Sequence, residues 1–236
     1  MTSTSRPADK ALAPHPNPMD RNRSILWARF LIDSDDWLIL ATKVTRHEGP
    51  EEGFSEFELV SLALMDGAGK TVLEALVKPD HEVESELIAR HGLDYSVVFN
   101  ARSYPAIRES LIAMTEGREL TAWDFEKQRQ VLADLDRAFG LPVHQWLGNS
   151  VSHQVARFAG SLSGAQVKDG YNLQSLTVNG LGALDECRAV RKSVVDMASS
   201  SQEVDPLVSG KPGWTAQFYR PKLGAADRLK NLFGRK

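Results

Sequence analysis

One cysteine in 236 residues, Cys187, leaves this chain unable to form an intramolecular disulfide or a cysteine zinc cluster. That residue is expected to pack as a small buried apolar group. No apolar run approaches the roughly 20 residues needed to span a bilayer. The opening MTSTSRPADKALAPHPNPMD holds no apolar leader segment, so a cytoplasmic protein is the expectation. The histidines show no paired metal-ligand spacing. No Gly-x-Ser-x-Gly elbow occurs. DGAGKT has a phosphate-loop ending, but Leu64 stands where the first glycine of that motif belongs, so the segment reads as a hairpin turn. Internal repeats are missing too.

What is present describes one sizeable α/β domain with tails. The net charge of −3 conceals an asymmetry. Residues 211–236 carry seven basic side chains against Asp227 alone, a local +6 that leaves −9 on the first 210 residues. The body is therefore no general nucleic-acid binder, whereas the tail has the charge for it. Residues 1–22, rich in Pro, Ser and Ala, read as a disordered segment, residues 23–200 as the folded domain, and residues 201–236 as a linker and basic tail.

Periodicity places a helix over residues 24–32 with Ser24 as its cap. Strands follow over 37–45, 57–65 and 71–77, the last two joined by the DGAGK turn. Helical spacing recurs at 82–91, 105–116, 124–139, 151–159 and 183–198, with further strands at 119–123 and 142–147. Hairpins first and crossovers later predict an α/β fold, a mixed five-stranded sheet with helices on both faces.

The order and spacing of several segments resemble the DEDD superfamily of 3′–5′ exonucleases, which includes the proofreading epsilon subunit of DNA polymerase III. ILWARFLIDSDDWLILAT is similar to the first helix and strand of bacterial members, and FELVSLALMDGAGKTVLEALVKP to the next two strands. HGLDYSVVFNARSYPAI resembles the His-Gly-Ile loop and the turn after it. LTAWDFEKQRQVL resembles the second motif, VARFAGSLSGAQVKDGYNLQSL a late segment, and LGALDECRAV the third motif. The resemblance covers residues 24–198 and implies a ribonuclease-H-like fold.

It also implies a site. Members hydrolyse the terminal phosphodiester with two divalent metals on four carboxylates, aided in one subfamily by a histidine. The first-motif Asp-x-Glu reads Ala41 and Lys43 here. The second-motif aspartate reads Glu126 after Phe125, with Ala122 three residues before that phenylalanine. The third-motif histidine and aspartate read Leu181 and Glu186, with Asp185 alongside. Alanine removes a ligand shared by both metals, lysine puts an ammonium where a cation belongs, and leucine cannot take a proton. Each Asp→Glu exchange adds about one methylene, which Mg²⁺ tolerates poorly at ligand distances of about 2.0–2.1 Å.

These substitutions argue against two-metal catalysis and predict an inactive or strongly impaired exonuclease-like domain, a nucleic-acid-binding or protein-interaction module with no cofactor. The alternative is a working nuclease for DNA or RNA 3′ ends, using Mg²⁺ or Mn²⁺ on Glu126, Glu186 and Asp185. A third reading is a structural partner in a replication or repair assembly. Lys43 is expected to ion-pair with Glu126 and Glu186 in place of the metals. His91, in a loop bordering the cleft in relatives, Phe125, and Lys222, Arg228 and Lys230 of the tail are the candidate contacts to a single strand or 3′ end. Trp123 is expected to fill part of the pocket.

Overall fold

The central strand is built to be covered on both sides. Trp37, Leu38, Ile39, Leu40 and Ala41 are all buried, so β1 (Trp37–Arg46) is a continuous apolar run rather than an alternating one. Even positions Leu38 and Leu40 enter one core layer, and odd positions Trp37, Ile39 and Ala41 enter the other. The computed structural model describes residues 15–34, 36–46, 57–160 and 170–200.

Strand β2 (Phe57–Asp66) pairs antiparallel with β1 and with β3 (Thr71–Lys78). The turn between β2 and β3 closes through Asp66, whose side chain accepts the Lys70 N–H at 2.8 Å. Gly69 sits at φ +94°, a left-handed value that strains any L side chain. Beyond β3 lies the short parallel strand β4 (Arg102–Ser103). On the other side of β1, β5 (Glu119–Ala122) and then β6 (Gly148–Ser150) add in parallel. The order is β4-β3-β2-β1-β5-β6.

Helices cover both faces. One core layer holds Tyr104, Ile107 and Leu111 of α4 (Tyr104–Thr115) and Phe125, Leu132 and Leu135 of α5 (Phe125–Ala138). The opposite layer holds Ala28 and Leu31 of α1 (Pro18–Asp33), Val151 of α6 (Val151–Ala159), and a stripe from Ala183 to Ala198 on α7 (Ala183–Ser199). Cys187 belongs to this stripe; its Sγ lies 3.5 Å from Ile39 O and 3.7 Å from Ala63 O. Short helices α2 (Ser85–Ala89) and α3 (Tyr95–Phe99) occupy the crossover between β3 and β4.

Three expectations change in detail. The sheet has six strands rather than five, because Arg102–Ser103 adds a two-residue edge. The last strand is Gly148–Ser150 and not residues 142–147. That segment is held by side chains instead of a ladder: Arg108 Nη2 donates to Pro142 O at 2.6 Å, and the His144 N–H donates to Asp136 Oδ2 at 2.9 Å. Helix α1 starts at Pro18, where Asn17 caps it by accepting from the Met19 N–H. Ser24 lies buried inside that helix, its hydroxyl donating to Asp20 O. Residues 18–22, expected to be disordered, are thus helical. Residues 1–14 and 201–236 lie outside the described residues.

Asp136 anchors the α4–α5 layer. It is fully buried, and it accepts from Tyr104 Oη at 2.9 Å and Arg108 Nε at 2.6 Å besides the His144 N–H. Burial, reinforced by the Asp136 charge, pushes the Tyr104 hydroxyl far above its usual range.

Candidate functional site

The polar end of β1 emerges where its register with β2 shifts. Lys43 pairs with Ser61 and Val44 with Leu59, so Val60 is an extra residue on β2. Such a bulge bends the strand and re-aims the side chains beside it. Lys43 lies on the α7 side, and its ammonium reaches Glu186 Oε2 at 2.6 Å. Glu186 stands in the first turn of α7, where the helix dipole favours an acid. The two side chains are 17% and 16% exposed, so water screens the pair only partly.

Around them a cavity of about 330 Å³ is lined by Lys43, Glu186, His91, Trp123, Asp124 and Lys127, among others. His91 is half-buried in the loop after α2. Burial and then the Lys43 ammonium hold its imidazole below the usual range, against an opposing hydrogen bond with the Val44 backbone. Asp124 caps α5 by accepting the Lys127 N–H at 3.2 Å. Thr42, on the other face of β1, donates its hydroxyl to Gln128 Oε1 at 2.5 Å and ties the strand end to α5.

The structure brings together some of the expected residues and separates others. Lys43, Glu186, His91 and Trp123 meet in the cavity. Ala41 is fully buried against the core layer of Ala63 and Cys187 and offers no donor atom. Glu126 is 62% exposed and pairs with Arg129 at 2.6 Å, so Lys43 pairs with Glu186 and not with both acids. Asp185 is occupied by Arg188 at 2.8 Å and by the Gly182 N–H at 3.2 Å. Leu181 is exposed and packs beside Gly92, next to His91; a Cβ on that glycine would lie 3.3 Å from its own Cβ. Phe125 is a correction: at 2% exposure it belongs to the core under β6, against Gly148, and cannot stack on a base. Lys222, Arg228 and Lys230 lie outside the described residues.

Sequence reasoning missed Asp124, Lys127 and Gln128 as cavity residues. A usable signal existed: an aspartate immediately before an amphipathic run is a helix cap, which fixes the phase of the first turn.

The donor set does not fit two divalent ions. Ala41 supplies nothing, Lys43 holds an ammonium against Glu186, and Asp124 is committed to its cap. Among the described residues no three His, Cys, Asp or Glu side chains group closely enough to hold a metal.

No protein-family model matches the chain, and no curated protein matches it by sequence. Solved structures do. Cell-death related nuclease 4 superposes with a TM-score of 0.50 at 13% identity, over 69% of this chain and 63% of that one. The nuclease domain of 3′hExo, a DEDDh family member bound to rAMP, gives 0.49 at 14% identity, over 69% of this chain and 91% of that one. Exonuclease X in complex with 5′ overhanging duplex DNA gives 0.38 at 16% identity, over 70% and 95%. At these identities the likeness concerns architecture alone. The chain has an exonuclease-like, ribonuclease-H-like fold.

Proposed function

We propose that this domain is a non-hydrolytic form of the exonuclease fold, retained as a nucleic-acid-binding module, with the basic tail as a second contact. The observation that carries the reading is the Lys43–Glu186 pair at 2.6 Å. An ammonium there neutralises Glu186, while Asp124, the other acid lining the cavity, accepts from the Lys127 N–H in its helix cap, so the cleft has little need of a metal to relieve carboxylate repulsion. Lys127 and His91 add further donors to the same wall. A phosphate entering the cleft would meet donors in place of metal ions, which permits binding without polarising a phosphodiester for attack. No helix among the described residues is long and apolar enough to cross a membrane, and a cytoplasmic setting belongs to this reading.

Calorimetry with Mg²⁺ and Mn²⁺, beside cleavage of a 3′-labelled oligonucleotide, tests it. The expectation is no stoichiometric metal binding and no cleavage, with single-strand binding that weakens with salt and on deletion of residues 211–236. Metal-dependent cleavage abolished by Glu126→Gln would establish the remodelled nuclease instead. Absence of strand binding at any salt would favour a protein-interaction role in a replication or repair assembly.

A further inference from the structure

Helix α1 is apolar on both sides. Ile25, Ala28 and Leu31 are fully buried, while Met19, Leu26 and Phe30 recur at helical intervals on the opposite side. Leu26 is 52% exposed and Phe30 66% exposed. A helix with apolar side chains all round is ordinarily covered all round. No other exposed large apolar side chain among the described residues lies on a helix longer than the five-residue α3. Of the described helices, α1 alone therefore offers a long apolar stripe.

The described chain ends beside this stripe. Arg29, next to Phe30 and one turn on from Leu26, donates to Ala198 O at 2.9 Å and to Ser200 O at 2.8 Å. The end of α7 is thereby pinned to α1, and everything beyond Ser200 starts from there. Residues 221–236, PKLGAADRLKNLFGRK, carry Leu223, Ala226, Leu229 and Leu232–Phe233 at helical spacing, with Pro221 placed for a first turn and Gly234 for a C-cap. A lone helix of this length is marginal in water without an apolar surface to support it. Residues 201–220 can reach ~70 Å when extended. The 16-residue α1 is only about 24 Å long, so the tether allows the segment to lie along it.

We propose that residues 221–236 dock as a helix along the outer side of α1, with Leu229, Leu232 and Phe233 on Leu26 and Phe30. A tethered segment escapes most of the translational entropy cost that a free partner bears, so a narrow stripe is enough to hold it. A second copy of the chain is disfavoured. A stable homodimer buries about 800 Å² or more per partner, of which Leu26 and Phe30 supply a small part. Charge favours the same occupant, because the segment has five basic side chains against Asp227 alone, and the first 210 residues hold −9. Arg228 and Arg235 fall on the side away from the apolar positions. Docking therefore presents them outward at a fixed place, whatever the Lys43 cleft binds.

The test uses the full chain and hydrogen exchange read by mass spectrometry. Amides of residues 222–233 are expected to exchange about tenfold more slowly than in a free peptide of the same sequence, independently of protein concentration. Leu26→Ser with Phe30→Ser should remove that protection, and so should Leu229→Ser with Phe233→Ser. A thiol introduced by Arg23→Cys, on the same side of α1, reports from the other partner, since Cys187 is buried. Its labelling should speed up about fivefold when Leu229→Ser and Phe233→Ser are added. This measurement decides alone if the α1 double variant does not fold. Exchange as fast as in the free peptide, protection that survives Leu26→Ser with Phe30→Ser, or labelling indifferent to the tail changes would overturn the proposal. Protection that rises with concentration, together with a dimer in sedimentation, would assign the stripe to a second copy and overturn it as well. A monomer with an unprotected tail and a reactive stripe would leave α1 to a separate partner, again against the proposal.

Discussion

The Lys43 ammonium bridges two elements 143 positions apart in the chain, joining the end of β1 to the first turn of α7 through Glu186. Removing one partner leaves the other a mostly buried charge. Glu186→Gln is expected to lower stability by about 1–3 kcal/mol, read as a fall in urea midpoint at constant m-value. The double change Lys43→Met with Glu186→Leu should cost less than the sum of the single changes, because no orphan charge remains.

Restoring the first-motif acids tests the location of the site. In Ala41→Asp with Lys43→Glu, a buried carboxylate replaces a methyl group beside Ala63 and Cys187. The protein should melt lower than wild type without metal, then recover part of the loss with Mg²⁺, which binds only the folded form. Calorimetry should detect an Mg²⁺ isotherm that wild type lacks.

His91 gives a pH signature. Its folded-state value lies below the ordinary 6.5 because of burial first and the Lys43 ammonium second. The unfolded chain therefore takes up a proton more readily than the native one between those two values. The stability involved is fully present above pH 6.5 and is lost as pH falls through the depressed value. NMR titration of the His91 ring should find a midpoint below 6.5. Lys43→Met should raise that midpoint only partway, since burial is the larger cause. His91→Gln should remove this part of the pH dependence of the urea midpoint.

Asp136 carries the largest expected loss. Asp136→Asn strips the charge that receives Arg108 and weakens the bonds from Tyr104 and the His144 N–H. About 3–5 kcal/mol should disappear from equilibrium unfolding. Residues 142–147 should also lose amide-exchange protection, because the His144 N–H is held by this carboxylate.

Much of this was legible in the chain itself, for reasons that differ by element. The apolar run of β1, the Asp66–Lys70 turn and the 3.6-residue stripes of α5 and α7 are local signals, and the structure follows them closely. Strand β6 was hidden because its three residues, Gly148, Asn149 and Ser150, have no strand-like character. Gly148 is required by contact instead: a Cβ there would fall 2.4 Å from Leu120 O and 2.5 Å from the Phe125 ring. The apolar look of 142–147 came from Trp146 turning into the core.

At the site, the burial of Ala41 and the pairing of Lys43 with Glu186 follow from strand alternation and motif spacing. The separation of Glu126 does not. Adjacent helix residues point about 100° apart, and the Asp124 cap sets the phase so that Lys127 lines the cavity while Glu126 faces solvent. That choice depends on how α5 docks, which spacing alone cannot give.

The buried thiol of Cys187 has a practical consequence. It is the single sulfhydryl in the chain, one residue from Glu186, and burial together with the Glu186 charge keeps it protonated. A thiol-directed reagent reaches it only when α7 lifts from β1 and β2. Its labelling rate is thus a native clock for the opening of the cleft wall, and ligands that seat in the cleft should slow it without any engineered probe.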